Sequence, residues 1–168
     1  MDTELHDERD IRNVVLAYCR GVDRMDRELV RSCYHADATE VHGSFTGTID
    51  GYLDWVWRVL ARYERTQHFV GNLLIELRGD RAHAETYGIA SHEGDAADPT
   101  KNLAVGFRYL DRFERRDDGG WRIVQRVAVT DWCRSWSADT RWPIPDHLLV
   151  GERGSGDPLY ESRGWLDG

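Results

Sequence analysis

The sequence predicts a single α+β domain, with three helices packed on a curved antiparallel sheet around an apolar pocket. Three observations predict it. The first 65 residues hold three stretches with apolar residues at helical spacing. The second half alternates in long runs broken by short Gly/Asp turns. The chain has 168 residues, 40% hydrophobic and 31% charged, which suits one core and argues against disorder.

The elements follow in order. Residues 7–24 read as an amphipathic helix with Ile11, Val14, Val15, Tyr18 and Val22 on one face. Asp7 is its expected N-cap, and Gly21 weakens its end. A shorter helix spans 27–34, with Leu29, Val30 and Cys33 as its stripe. Thr39 and Val41 lie before Gly43, and Ser44, Phe45 and Thr46 after it, which predicts a hairpin. Asp50 then caps a third helix over 51–65, whose buried face is Tyr52, Trp55, Val56, Val59, Leu60 and Tyr63.

Residues 67–77 read as a strand, Gly79-Asp80 as a turn, and 81–92 as the returning strand. A polar loop with Pro99 covers 93–100. Strands over 102–115 and 121–132 flank the turn Asp117-Asp118-Gly119-Gly120. Four long strands on short turns make an antiparallel meander. The domain is assigned to 1–134. The irregular tail, 135–168, is expected to act as a lid or an oligomer contact.

Charge narrows the function. A net charge of −8 without a basic run disfavours nucleic acid and a membrane surface. The opening MDTELHDERD lacks an apolar signal region and no apolar run spans a bilayer, so a cytoplasmic location is expected. Cys19, Cys33 and Cys133 are odd in number and show no CxxC spacing, against a disulfide framework or zinc knuckle. GxSxG, HExxH and Walker glycine patterns are absent. His83, Glu85 and His92 match no compact metal site. Neither a metal nor a cofactor is expected.

The remaining candidates are polar residues on apolar faces. Asp23 shares a helix flank with Leu16 and Cys19, where a carboxylate needs a partner; alternatively it ends the helix in water or caps the next. His68 opens a strand in which Val70, Asn72 and Leu74 share its face. It is either a core histidine or a general base that titrates near neutrality. Tyr18 is a core aromatic or a hydroxyl donor to substrate oxygen. Arg126 alternates with Val124 and Ala128. Pointing inward it should meet Asp23 or a substrate oxygen; pointing outward it would pair with Glu114. Asn72 and His92 are pocket-lining candidates, while His83 and His42 are read as surface residues. Among the tryptophans Trp55, Trp57, Trp132, Trp136 and Trp142, Trp55 and Trp132 are the expected walls for a hydrophobic ligand.

Gly21-Val22-Asp23, the run Gln67-His68-Phe69-Val70-Gly71-Asn72 and the segment from Tyr109 to Arg126 together resemble the SnoaL-like branch of the nuclear transport factor 2-like superfamily. The resemblance covers about residues 7–134. It implies a cone-shaped α+β barrel and an Asp–His dyad, for which Asp23 and His68 stand in the matching positions. It also matches Tyr18 and Arg126 to the Tyr and Arg of the bile-acid dehydratases, and His92 loosely to a group on the fourth strand. The dehydrochlorinase of the branch has Lys where Tyr18 stands, which tilts the comparison toward dehydratases.

The expected function is thus a cofactor-independent, dehydratase-like lyase acting on a small hydrophobic substrate. In the expected reaction His68, oriented by Asp23, is the base, and Tyr18 and Arg126 assist. A cyclase or isomerase using the same base is the first alternative. A binding subunit such as the small subunit of a ring-hydroxylating dioxygenase is the second. A homo-oligomer, dimer or trimer, is the expected assembly.

Overall fold

The computed structural model describes residues 2–95, 97–98, 102–117, 119–137 and 143–167. Pro99, Lys101, Asp118 and Trp142 lie outside the described residues. Helices α1 (Asp2–Arg24), α2 (Arg27–Ser32) and α3 (Ile49–Leu60) precede the long strands, with the hairpin β1 (Tyr34–His42) and β2 (Phe45–Thr48) between α2 and α3. Strands β3 (Tyr63–Arg78), β4 (Arg81–Asp95), β5 (Asn102–Arg115) and β6 (Trp121–Trp136) follow, and a short α4 (Pro158–Gly164) sits in the tail. No described helix is long and apolar enough to cross a membrane.

Helix α1 buries Ile11, Val15, Tyr18, Cys19 and Val22 as its spacing requires. It starts five residues earlier than expected, so Asp7 is not its cap. Asp7 instead accepts from the Trp121 indole N–H at 2.8 Å and from Arg115 at 2.6 Å, tying the helix to the sheet. Gly21 does not end the helix. A Cβ there would lie 2.5 Å from Val30 Cγ2, so its bareness is what lets α2 close on α1. Asp26 caps α2 by accepting from the Leu29 amide at 3.0 Å.

Helix α3 is capped by Thr48, not Asp50, and ends at Leu60. The expected last turn is taken by β3, because Tyr63, Arg65 and Thr66 pair with Asp95, Glu93 and His92 on β4. A ladder shared with a long neighbour outweighs the helix spacing of a few residues. Tyr63 is therefore a strand residue.

The sheet order is β2-β1-β6-β5-β4-β3. Strands β3 to β6 form the expected antiparallel meander. The sheet as a whole is mixed, since β1 runs parallel to β6. It is also open: β2 and β3 are edges, so the barrel is not closed. Helices α1 and α3 cover the concave face, and the buried cluster between them and the sheet includes Tyr18, Tyr52, Leu53, Phe107 and Tyr109.

Bulges on β3 and β6 decide which residues face that core. On β3, Val70 stands opposite Gly88 but Leu73 opposite Thr86, so Gly71 and Asn72 together oppose one residue. The alternation flips there. Leu73, Ile75 and Leu77 turn inward, while Asn72 and Leu74 turn out. On β6, Thr130 opposes Phe107 and Trp132 opposes Gly106, leaving Asp131 as the extra residue. Trp132 is thereby turned to the outer face, across the bare Gly106.

Candidate active site

The end of α1 and the start of β3 meet at Asp23 and His68. The His68 ring donates from Nδ1 to Asp23 Oδ1 at 2.7 Å. A carboxylate only accepts, so Nδ1 carries a proton, which in the neutral form of the ring leaves the lone pair on Nε2. Asp23 Oδ2 also accepts the His68 backbone N–H at 2.8 Å, and Oδ1 accepts the Thr66 hydroxyl at 3.1 Å. These donors replace the water that a half-buried carboxylate has lost. Asp23 thus fixes the His68 ring tautomer through Oδ1 and is itself anchored to the strand backbone through Oδ2.

His68 opens onto a cavity of about 260 Å³ on the concave face. Its walls are mostly apolar: Val22, Val56, Leu60, Leu103, Val105 and Phe107. The expected residues Tyr18, Trp55 and His92 also line it. The Tyr18 and Tyr52 hydroxyls are hydrogen-bonded at 2.5 Å. One proton joins the two oxygens, so one O–H remains for another acceptor. Burial pushes the Tyr18 phenol far above its ordinary value, with Arg126 pulling it partly back, so the Tyr18 hydroxyl keeps its proton.

His92 stands beside this pair, its ring 6.1 Å from that of His68 and 5.0 Å from that of Tyr63. Its Nδ1 is buried without a partner among the described residues. Burial first, and then the charge of His68, pulls its pKa from 6.5 down to about 4. The unfolded chain takes up this proton near 6.5, so stability is whole above that pH and falls as pH drops toward 4. The shift corresponds to about 3 kcal/mol. His92→Leu is expected to flatten the urea-midpoint decline between pH 6.5 and 4. An unchanged slope would show that His92 is not held neutral.

Three expected residues are not brought to the cavity. Arg126 is fully buried, but it forms a two-pronged pair with Asp111, Nε to Oδ1 and Nη2 to Oδ2 at 2.7 Å each. It meets neither Asp23 nor Glu114. Its guanidinium lies 4.0 Å from the ring centres of Tyr18 and Tyr109, behind the cavity wall. Asn72 and Trp132 are on the outer face, where both border a shallow hollow with Phe69 and Ile89. The bulges at Gly71-Asn72 and Asp131 put them there.

Other residues arrive unannounced. His42, read as a surface residue, lines the cavity, stacked 5.4 Å from Tyr52. Its Nδ1 is 3.0 Å from Oε1 of the fully buried Glu40. The signal was the alternation Ala38, Glu40, His42 on β1, which puts all three on the core face. His83 is exposed as expected.

A second, polar hollow of about 480 Å³ lies on the other side of the dyad. Asp23 and His68 border it together with Arg65, Glu93 and the tail residues Ile144 and Leu148. The tail is fastened by Arg24 to Asp157 at 3.3 Å. Arg153 donates to the Leu60 carbonyl at 2.8 Å and to the Thr66 hydroxyl at 3.4 Å. Among the described residues no cluster of three His, Cys, Asp or Glu is placed to hold a metal.

The SnoaL-like domain family matches residues 3–127. No curated protein matches the chain. Solved structures share the fold at low identity. A hexachlorocyclohexane dehydrochlorinase, LinA-type3, from Novosphingobium barchaimii LL02 is 21% identical, with a TM-score of 0.73 over 84% of this chain and 97% of that one. A candidate scytalone dehydratase from Novosphingobium aromaticivorans is 20% identical, with a TM-score of 0.71 over 84% of this chain and 99% of that one. A candidate ketosteroid isomerase from Shewanella frigidimarina is 16% identical, with a TM-score of 0.60 over 71% of this chain and 94% of that one.

Proposed function

The chain belongs to the SnoaL-like domain family, and we propose that it is a cofactor-independent lyase that removes water from a small hydrophobic substrate. The observation that carries this reading is the 2.7 Å Asp23–His68 contact at the wall of an apolar cavity. His68 Nε2 takes the proton from a carbon beside a carbonyl. Asp23 holds the tautomer and offsets the charge of the imidazolium that forms. The spare O–H of the Tyr18–Tyr52 pair donates to the carbonyl oxygen as it gains negative charge. Arg126 acts through Tyr18, as a fixed cation behind the ring, and does not touch the substrate. The dehydratase and dehydrochlorinase names among the fold relatives support an elimination.

Isomerisation or ring closure is the second reading, favoured by the same hydroxyl pair, because an enolate held there has more than one fate. The tail belongs to the proposal as a cover over the outer side of the dyad, with Arg153 as its latch. Self-association belongs to it too, through the exposed Phe69, Leu74 and Ile89 on the outer sheet face.

Incubation with a panel of β-hydroxy ketones, followed by product mass, tests the reading. Loss of one water from a panel member is the expected result. Conversion without change of mass would replace the lyase by an isomerase or cyclase. Strict inertness toward the panel, with no proton exchange beside the carbonyl, would sink both.

A further inference from the structure

Glu40, Arg126 and Asp111 stand side by side across β1, β6 and β5 on the concave face. All three are fully buried. The two prongs of Arg126 are spent on Asp111, so this row carries one carboxylate more than its cation neutralises. Glu40 takes only two donors that the structure shows: the Tyr34 hydroxyl at 3.0 Å on Oε2, and His42 Nδ1 at 3.0 Å on Oε1. A buried carboxylate in that position needs a compensating charge. His42 is the titratable group in hydrogen-bond contact that can supply it.

Asp23 is in a different position. It has three donors, is partly open to solvent, and lies near the cationic Arg153. The two histidine–carboxylate pairs thus differ in what surrounds the carboxylate: three donors and a nearby arginine at Asp23, one hydroxyl and one imidazole in a fully buried row at Glu40. They also face each other. His42 is on β1 and His68 on β3, at the two flanks of the curved sheet, and both line the same cavity. Tyr109 and Phe107 floor the space between them, Tyr109 being 5.9 Å from His42 and Phe107 5.9 Å from His68, ring to ring.

We propose that Glu40 and His42 form a second dyad, an acid opposite the base, in which the His42 imidazolium donates from Nε2 to the oxygen that leaves the substrate. The proposal rests on the reading of His68 as base. As His68 removes the proton from carbon, that C–H pair becomes the new C=C bond. The C–O pair departs with the oxygen, the His42 proton joins it, and water forms. His68 ends charged and His42 neutral; solvent carries one proton from the first to the second to reset the site. Burial pushes the Glu40 carboxyl up, and the hydrogen bond from His42 and the charge of Arg126 pull it partly back. The ionisable groups about His42 are Glu40 on its own strand, Tyr52 on α3, Tyr109 on β5 and Arg126 on β6, with His92 across the cavity.

Two measurements test this separately from the base. Imidazole nitrogen spectra of the labelled protein read protonation without any substrate. Under the proposal the His42 ring carries both protons in the wild type at neutral pH, and Glu40→Gln is expected to move its midpoint down. A neutral His42 in the wild type, or a midpoint unmoved by Glu40→Gln, overturns the dyad.

The second measurement uses 4-hydroxy-4-phenylbutan-2-one in D2O. His42→Gln is expected to slow enone formation about 100-fold while deuterium exchange beside the carbonyl continues. Loss of both, or of neither, overturns the leaving-group role. His68→Ala should stop both; if it stops neither, the base reading fails, and the spectra still decide Glu40 and His42. A wild type inert to this ketone likewise counts against the lyase reading alone.

Discussion

His68→Ala is expected to lower kcat about 10³-fold on any substrate the wild type turns over, with melting temperature nearly unchanged. The ring is hydrogen-bonded only through Nδ1 among the contacts the structure shows, and its backbone N–H stays on Asp23 in the alanine variant. Asp23→Asn should lose turnover to a similar degree and lose stability as well. An amide in place of Asp23 turns an NH2 toward one of three donors, so about 1–3 kcal/mol of folding stability should go with it. Kinetics and melting on both variants separate the roles. A His68→Ala protein within a few-fold of wild-type kcat would mean that another group removes the proton.

Asp111→Ala is expected to have the largest effect on stability. It leaves Arg126, fully buried, with its guanidinium uncompensated. Breaking a buried pair from one side costs about 3–5 kcal/mol, enough to shift a urea midpoint by a large fraction. The double variant Asp111→Leu with Arg126→Met should recover most of that loss, because it removes both charges and keeps apolar volume. It should not recover activity, since the cation behind Tyr18 is gone with the pair. A loss under about 1 kcal/mol in Asp111→Ala would show that Arg126 finds a second anion, and Glu40 is the neighbour to examine.

Much of this arrangement was legible in the sequence, for definite reasons. The face of α1 repeats over enough turns to fix which residues it buries, so Tyr18 and the position of Asp23 at its end follow directly. The long strands were found from alternation and turn residues. Alternation fails where a strand gains one residue, and the misplacements of Asn72 and Trp132 both come from that cause. A glycine at 71 or an aspartate at 131 is a weak sign of a bulge, because each is equally at home elsewhere. His42 was misread because a histidine near a hairpin turn resembles a surface residue unless the buried Glu40 two places earlier is weighed with it. Alternation left Arg126 open between an inward and an outward reading; it lies inside, and its partner was not legible. That partner depends on the β5–β6 register, which pairs residue 126 with 111.

The Asp23–His68 pair has a hollow on each of its two sides, one lined by hydrocarbon and the other by polar side chains. A proton lifted from a ligand in the first can therefore drain into the second through the imidazole itself. The ligand's own doorway need not serve as the exit for the proton that His68 takes. Under these conditions the rate of resetting would follow buffer on the polar side, and the choice of ligand would follow the shape of the other.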